Sequence, residues 1–251
     1  MKDRKQREVE LHAKLAHEYD KKREGTKNGN YYSKEWLRTM LRKIKIKDGD
    51  TILDIGCGTG IFYEILKEEG LDCKYTGIDL SLDMINIGKK RYSGIDLRVM
   101  DCEHLEFPDH NFDVVFMRSV LHHIPDQTAA IKEMERVGKG LIIVSEPSRN
   151  VLTEIPRWMS KKFTQHFDKD HTHFSKKQIK TMLRTGGLGS AKFHHFGYLA
   201  YPFGFTDIVP GAKYMPMFLL KVLFKLDILI SYVPLINYFS WHLIIVSDKK
   251  K

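Results

Sequence analysis

The chain has 251 residues, enough for one domain with decoration and a real hydrophobic core. Its three cysteines, at 57, 73 and 102, are too few and too scattered for a disulfide framework or a zinc site, so a reduced, cytoplasmic setting is expected. The formal charge is +9, and residues 1–47 alone carry 15 Lys/Arg against 7 Asp/Glu. That basic segment suits RNA phosphates, anionic lipid, an acidic substrate, or a plain solvated helical arm. The first eight residues lack the apolar core of a signal peptide, and no stretch has the uninterrupted apolar length of a membrane span.

In chain order, residues 4–24 read as a loosely amphipathic helix and 25–30 (Gly-Thr-Lys-Asn-Gly-Asn) as a break. Ser33 reads as the N-cap of a second helix whose apolar face is Trp36, Leu37, Met40 and Leu41. After the Asp48-Gly49-Asp50 turn, Thr51–Ile55 is a short apolar, β-favouring run that ends near Asp54. Gly56, Gly58 and Gly60 follow, with Cys57 among them, and then a helical stretch at 61–67. Glycine removes the Cβ atoms that would hold a ligand off the backbone and tolerates positive φ. Strand, glycine turn and helix N-terminus together make a nucleotide cradle.

A second strand, 74–79, ends in Asp79, nineteen residues after Gly60, where a carboxylate can accept both ribose hydroxyls. Ser81 caps a helix running to about Arg91, and the third strand, 96–100, is followed by Asp101 and Cys102. Residues 112–117 form a fourth strand, with a turn and short helix at 120–124. A helix then runs from Thr128 to Val137, ended by Gly138 and Gly140. The buried fifth strand, 140–147, stops at Glu146. An acid at that strand edge faces the ligand crevice as a substrate contact or general base, or else anchors a turn.

Residues 166–173 contain His166-x4-His171-x-His173, but no neighbouring cysteine or repeated acid completes a metal set. Residues 174–187 read as a capped helix with a glycine stop. Strands at 191–199 and 241–247 bracket about forty residues rich in Tyr, Phe, Pro and Leu. Within them, 217–230 winds apolar side chains round most of a helix, with Lys221, Lys225 and Asp227 its only charges. Such a helix is buried in protein, closes an oligomer, or lies against lipid.

The G-x-G-x-G spacing, with Asp54 two residues before the first glycine, resembles the first motif of the class I S-adenosylmethionine-dependent methyltransferases. The segment from Phe107 to Leu121-His-His-Ile-Pro125 resembles that family's fourth-strand region, and His17-Glu-Tyr-Asp20 resembles the element before the core in its small-molecule members. The resemblance covers about residues 45–190 and the final strand. It implies a Rossmann-like, seven-stranded α/β sheet with helices on both faces, and S-adenosylmethionine as cofactor. It also assigns roles: Asp54 to the cofactor's ammonium, Asp79 to the ribose, Leu80 beside the adenine, and Asp101 at the adenine amino group. The backbone N–H of Cys102 lies at a ring nitrogen, Arg118 lies at the methionine end, and Tyr19 closes as a lid. His122 or His123 faces the reacting centre.

The expected organisation is a helical lid (1–47), a methyltransferase core (48–199 and 241–248) and an apolar cap (200–240). The expected reaction is methyl transfer to a small, apolar or lipid-linked acceptor, with His123, Glu146 and His171 as ordered candidates for a general base and no metal. A membrane surface and a homodimer are the other expected partners of the cap. RNA methylation through the basic arm and nicotinamide-dependent oxidoreduction are the alternatives. Phe116-Met-Arg-Ser119 at the fourth strand's end is unlike the Asn/Asp-Pro-Pro-Tyr/Phe of enzymes methylating exocyclic base amines. The glycine spacing departs from the G-x-G-x-x-G of dinucleotide sites.

Overall fold

The computed structural model describes residues 25–150, 174–204 and 209–249. Its frame is one seven-stranded sheet in the order β3-β2-β1-β4-β5-β7-β6, built from β1 (Thr51–Ile55), β2 (Lys74–Asp79), β3 (Asp96–Val99), β4 (Phe112–Arg118), β5 (Gly138–Pro147), β6 (Lys192–Phe196) and β7 (His242–Asp248). Strands β1 to β5 are parallel, and β7 runs antiparallel to both β5 and β6. The central strands are buried on both faces, which is why β1 and β4 read as apolar runs rather than alternating patterns.

Two apolar layers sandwich the sheet. On one face, α1 (Lys27–Leu41), α2 (Ile61–Glu68) and α3 (Leu82–Arg91) pack Trp36, Leu37, Phe62 and Ile65 onto Ile52, Val114 and Phe116. The Phe62 and Phe116 rings are stacked, with centroids 4.1 Å apart. On the other face, α4 (Gln127–Val137) and α5 (Lys176–Thr185) pack Ile131, Met134 and Ile179 onto Leu53, Val115 and Ile142. Ser81, Asp126 and Ser175 cap α3, α4 and α5, and Ser175 forms a reciprocal box with Gln178.

Two boundaries differ from the sequence reading. Helix α1 starts at Lys27, not after Ser33; Thr26 is its cap, accepting from the Gly29 N–H. The Gly-Thr-Lys-Asn-Gly-Asn stretch has low helix propensity, but the Asn28 side chain is buried and donates to the carbonyls of Ala212 and Met215. Tertiary anchoring outweighs the propensity. Gly140 does not end α4, because β5 begins directly at Gly138; a Cβ on Gly140 would meet the Asp113 carbonyl oxygen at 2.5 Å.

Between β6 and β7 the chain makes α6 (Tyr201–Gly204), a 3-10 turn (Pro210–Tyr214), α7 (Met217–Ile230) and a second 3-10 turn (Pro234–Phe239). This excursion leaves and re-enters at one place, because the Trp241 N–H donates to the Gly197 carbonyl at 2.7 Å. Phe196, His242 and Pro147 are register partners, so its base lies at the C-terminal edge of the parallel strands. Leu220 and Phe224 bury one face of α7 against α1, where Tyr32 meets Trp36, Phe196, Tyr201 and Phe224 with ring centroids about 6 Å apart. Asp227, also buried, accepts from the N–H groups of Leu199 (2.6 Å) and Ala200 (3.1 Å), tying α7 to the end of β6.

Candidate active site

The glycine bend follows directly from β1. Gly56, Gly58 and Gly60 all have positive φ (+67°, +55° and +86°), a backbone path costly for any residue with a Cβ. The three positions do different work. A Cβ on Gly56 would strike Val120 Cγ2 at 2.2 Å, so this glycine lets the β4–α4 connection close over the bend. Among the described residues a Cβ on Gly58 would meet no atom within 4 Å, so they leave the backbone bare on that side. Gly60 precedes α2, whose N-terminus has no side-chain cap. The N–H groups of Gly56 and Cys57 donate to Ile78 O, which fastens the bend to β2. Cys57 is buried against Gly77, and burial pushes its thiol well above the ordinary range. With its N–H, carbonyl and sulfur all engaged inside the chain, it shapes the bend.

Asp79 closes the bend at the end of β2. One carboxylate oxygen accepts from the Gly58 N–H and the other from the Ser81 N–H, both at 2.9 Å. A carboxylate has about four lone-pair positions, so each oxygen retains capacity for a further donor such as a sugar hydroxyl. Leu80 follows, half-buried. At the end of β3, Asp101 and Cys102 are half-buried in a tight turn where Asp101 accepts from the Glu103 N–H at 3.0 Å. These residues ring the C-terminal edge of β1, β2 and β3, where ligands of open α/β sheets bind.

Asp54 is buried beneath the bend, and its carboxylate accepts from the Tyr75 hydroxyl at 2.6 Å. Burial raises its pKa to about 7, against the opposing pull of Tyr75 and Arg118. Tyr75 went unnoticed in the sequence; the signal lay in Gly77, which pairs with Asp54 and leaves the adjoining strand without a side chain beside it. The Arg118 guanidinium lies 5.3 Å from the centre of the Trp36 ring, and the Trp36 indole N–H donates to Ser145 Oγ at 3.3 Å. Helix α1 thus reaches over the sheet to the methionine-end residues named by the resemblance.

Beyond β4 the chain turns through Ser119, whose φ of +57° is unusual for a residue with a Cβ, and the Ser119 N–H donates to Ser145 O at 2.7 Å. Glu146 holds the next three residues. One oxygen accepts from Val120 and Leu121 N–H (2.9 and 2.8 Å), and the other lies 2.7 Å from His122 Nδ1. Its pKa rises to about 7 through burial, opposed by these donors and by His123. Adjacent residues of a helix point different ways, about 100° apart. On this 3-10 turn (Leu121–His123) the His122 and His123 rings instead lie against each other, with centroids 4.1 Å apart and planes tilted by 40°. Tyr19 and His171, and the histidines at 166 and 173, lie outside the described residues. Among the described residues no group of three His, Cys, Asp or Glu side chains is arranged to hold a metal.

The sheet order with an antiparallel β7, the bare glycine bend and the acid closing it define a nucleoside-binding α/β fold of the methyltransferase type. Residues 53–143 match the family model of a methyltransferase domain (Methyltransf_11). The chain is 32% identical over 175 residues to a ubiquinone/menaquinone biosynthesis C-methyltransferase of Geotalea daltonii, covering 66% of this chain and 68% of that one. It is 30% identical over 159 residues to a demethylmenaquinone methyltransferase of Lactobacillus johnsonii, covering 57% and 63% of the two chains. With a phosphoethanolamine N-methyltransferase of Arabidopsis thaliana it shares 27% identity over 183 residues, 70% of this chain but 32% of the plant enzyme. A solved methyltransferase of Thermotoga maritima has the same fold, with a TM-score of 0.66 at 18% identity over 96% of this chain and 99% of that one. The chain belongs to the class I S-adenosylmethionine-dependent methyltransferases. S-adenosylmethionine is the methyl donor of that domain, and the cradle fits it: a bare glycine backbone, an uncapped helix N-terminus, and an acid with hydroxyl-accepting capacity.

Proposed function

We propose that this chain transfers a methyl group to a small, apolar acceptor, of which a lipid-linked ring is the leading chemical class. The observation that carries this reading is the placement of two unlike surfaces at one sheet edge. The glycine bend with Asp79 and Asp54 lies at the ends of β1 and β2, and the apolar excursion 197–241 rises from the ends of β5, β6 and β7. The quinone-biosynthesis methyltransferases among its relatives support an apolar acceptor.

The bound sulfonium donor supplies an electrophilic methyl group. The protein's own residues align it and exclude water. Asp79 would hold the ribose, Asp101 the adenine, and Asp54 the amino-acid ammonium, with Leu80, Cys102 and Arg118 around them and Tyr19 closing from the N-terminal lid. Residues 200–240 serve as the cap over the acceptor. His123 is the group we assign to take a proton from an acceptor that carries one, with His171 as the second candidate. Glu146 is better suited to positioning, since the Val120 and Leu121 N–H groups and His122 Nδ1 already occupy its two oxygens.

RNA methylation through the basic segment is less well supported. In its described part, Lys34 is paired with Glu64 and Glu68, and Arg38 with Glu35, Glu68 and Glu69, leaving those cations neutralised for phosphate. The decisive experiment is incubation with methyl-labelled donor and fractionated cell extracts. Label recovered in an organic-soluble fraction supports the reading, and label recovered only in RNA or protein refutes it.

A further inference from the structure

The excursion between β6 and β7 buries only one of its faces. Phe218, Val222 and Leu229 lie on one side of α7 by helical spacing, opposite the buried Leu220, Phe224 and Asp227. Phe218 and Leu229 are 70% and 64% exposed, and the adjoining turn exposes Tyr232, Leu235 and Tyr238. Scattered apolar residues on a surface need no explanation, but a contiguous patch of this kind marks an interaction face.

Charge decides the occupant. Lys225 lies within the exposed stripe and Lys221 beside it. Lys43, just past the C-terminal end of α1, approaches the patch with its ammonium 5.6 Å from the centre of the Tyr232 ring. Between residues 209 and 241 the single acid is Asp227, and it is buried and committed to Leu199 and Ala200. A second copy docked symmetrically would bring like-charged lysines together, with no exposed acid between residues 209 and 241 to meet them. An anionic lipid surface offers apolar depth for Phe, Leu and Val, a headgroup layer for tyrosines, and phosphates for lysines. Among the described residues no helix is long and apolar enough to cross a membrane.

We infer that the outer face of residues 217–239 docks this protein in-plane on the surface of an anionic bilayer. This goes beyond the acceptor assignment and stands without it. Because the base of the excursion lies at the ligand edge of the sheet, docking there sets the candidate active site against the lipid headgroups.

The test is flotation of the full chain with phosphatidylcholine vesicles, with and without phosphatidylglycerol. The chain should float with the mixed vesicles, less with phosphatidylcholine alone, and be released by salt. The Phe218→Ser, Leu229→Ser, Leu235→Ser triple variant should retain its melting temperature and S-adenosylhomocysteine affinity. Its partitioning should fall by about tenfold or more. Lys221→Glu with Lys225→Glu should remove the preference for anionic vesicles. Three results would overturn the inference: a native chain that floats with neither vesicle, a triple variant that floats as well as the native chain, or a native dimer that the triple variant dissociates while neither form binds vesicles.

Discussion

Gly58→Ala separates the two costs that a glycine bend can carry. The residue has φ +55°, and its new Cβ would meet no atom of the described residues within 4 Å. The fold therefore loses only the left-handed backbone penalty, about 1–2 kcal/mol. For a chain of this size that lowers the melting temperature by about 2–8 °C. Donor binding is weakened in addition, since the new alanine methyl stands on the bare side of the bend where the ligand must approach. A tenfold weaker affinity for S-adenosylhomocysteine, about 1.4 kcal/mol, is the expected minimum. Gly49→Ala is the matched control: φ +83°, likewise no atom of the described residues within 4 Å, but in the turn before β1 at the opposite edge of the sheet. Scanning calorimetry should show similar melting losses for both variants, and titration calorimetry should show weaker binding for Gly58→Ala alone. Equal affinity in the two variants would refute the placement of the donor over the bend.

Asp79→Ala removes the acceptor for Gly58 and Ser81 N–H and should abolish measurable S-adenosylhomocysteine binding; retained binding in calorimetry would remove Asp79 from the site. Asp54 and Glu146, each with a folded pKa of about 7 through burial, each make a contribution to the stability of the free protein that is fully present below the ordinary carboxylate range. That contribution is lost as pH rises from about 4 through 7, which denaturant titrations across this window will detect. Donor-product affinity should run the other way, rising with pH up to about 7 because an ammonium favours ionised Asp54. Heats measured at pH 6 in buffers of different ionisation enthalpy should reveal a proton released on binding, and identical heats would argue against Asp54 as the partner. Glu146→Ala leaves the Val120 and Leu121 N–H groups without their acceptor, costing about 1–3 kcal/mol for each; a variant as stable as the native chain in urea would show the clamp to be unimportant. Asp227→Ala should speed proteolysis within 209–241 while leaving S-adenosylhomocysteine affinity intact, and unchanged cleavage would mean that other contacts hold the excursion.

The parts of this fold legible in the sequence are those fixed by local pattern. The glycine bend, the acid ending β2 and the bounds of the 217–230 helix required only neighbouring residues to be recognised. The parts that stayed hidden depend on residues far apart in the chain. Asn28 draws α1 seven residues further toward the N-terminus by bonding to carbonyls at 212 and 215. Glu146 could be seen to end a strand at the ligand edge, but not to gather the Val120 and Leu121 N–H groups and His122 Nδ1, because that depends on β4 and β5 being neighbours. The arrangement of His122 and His123 follows from that clamp, and no helical wheel contains it.

The tie between Asn28 and the carbonyls of residues 212 and 215 also has a consequence in time. Helix α1 emerges from the ribosome well before the surfaces that cover Asn28 and Tyr32; the carbonyl partners of Asn28 lie 184 and 187 residues further along the chain. At typical elongation rates the interval is about 10–40 s. During it, the aromatic side chains of this helix have no native partner from α6, α7 or β7, so the nascent protein presents them to whatever binds oily segments at the exit tunnel.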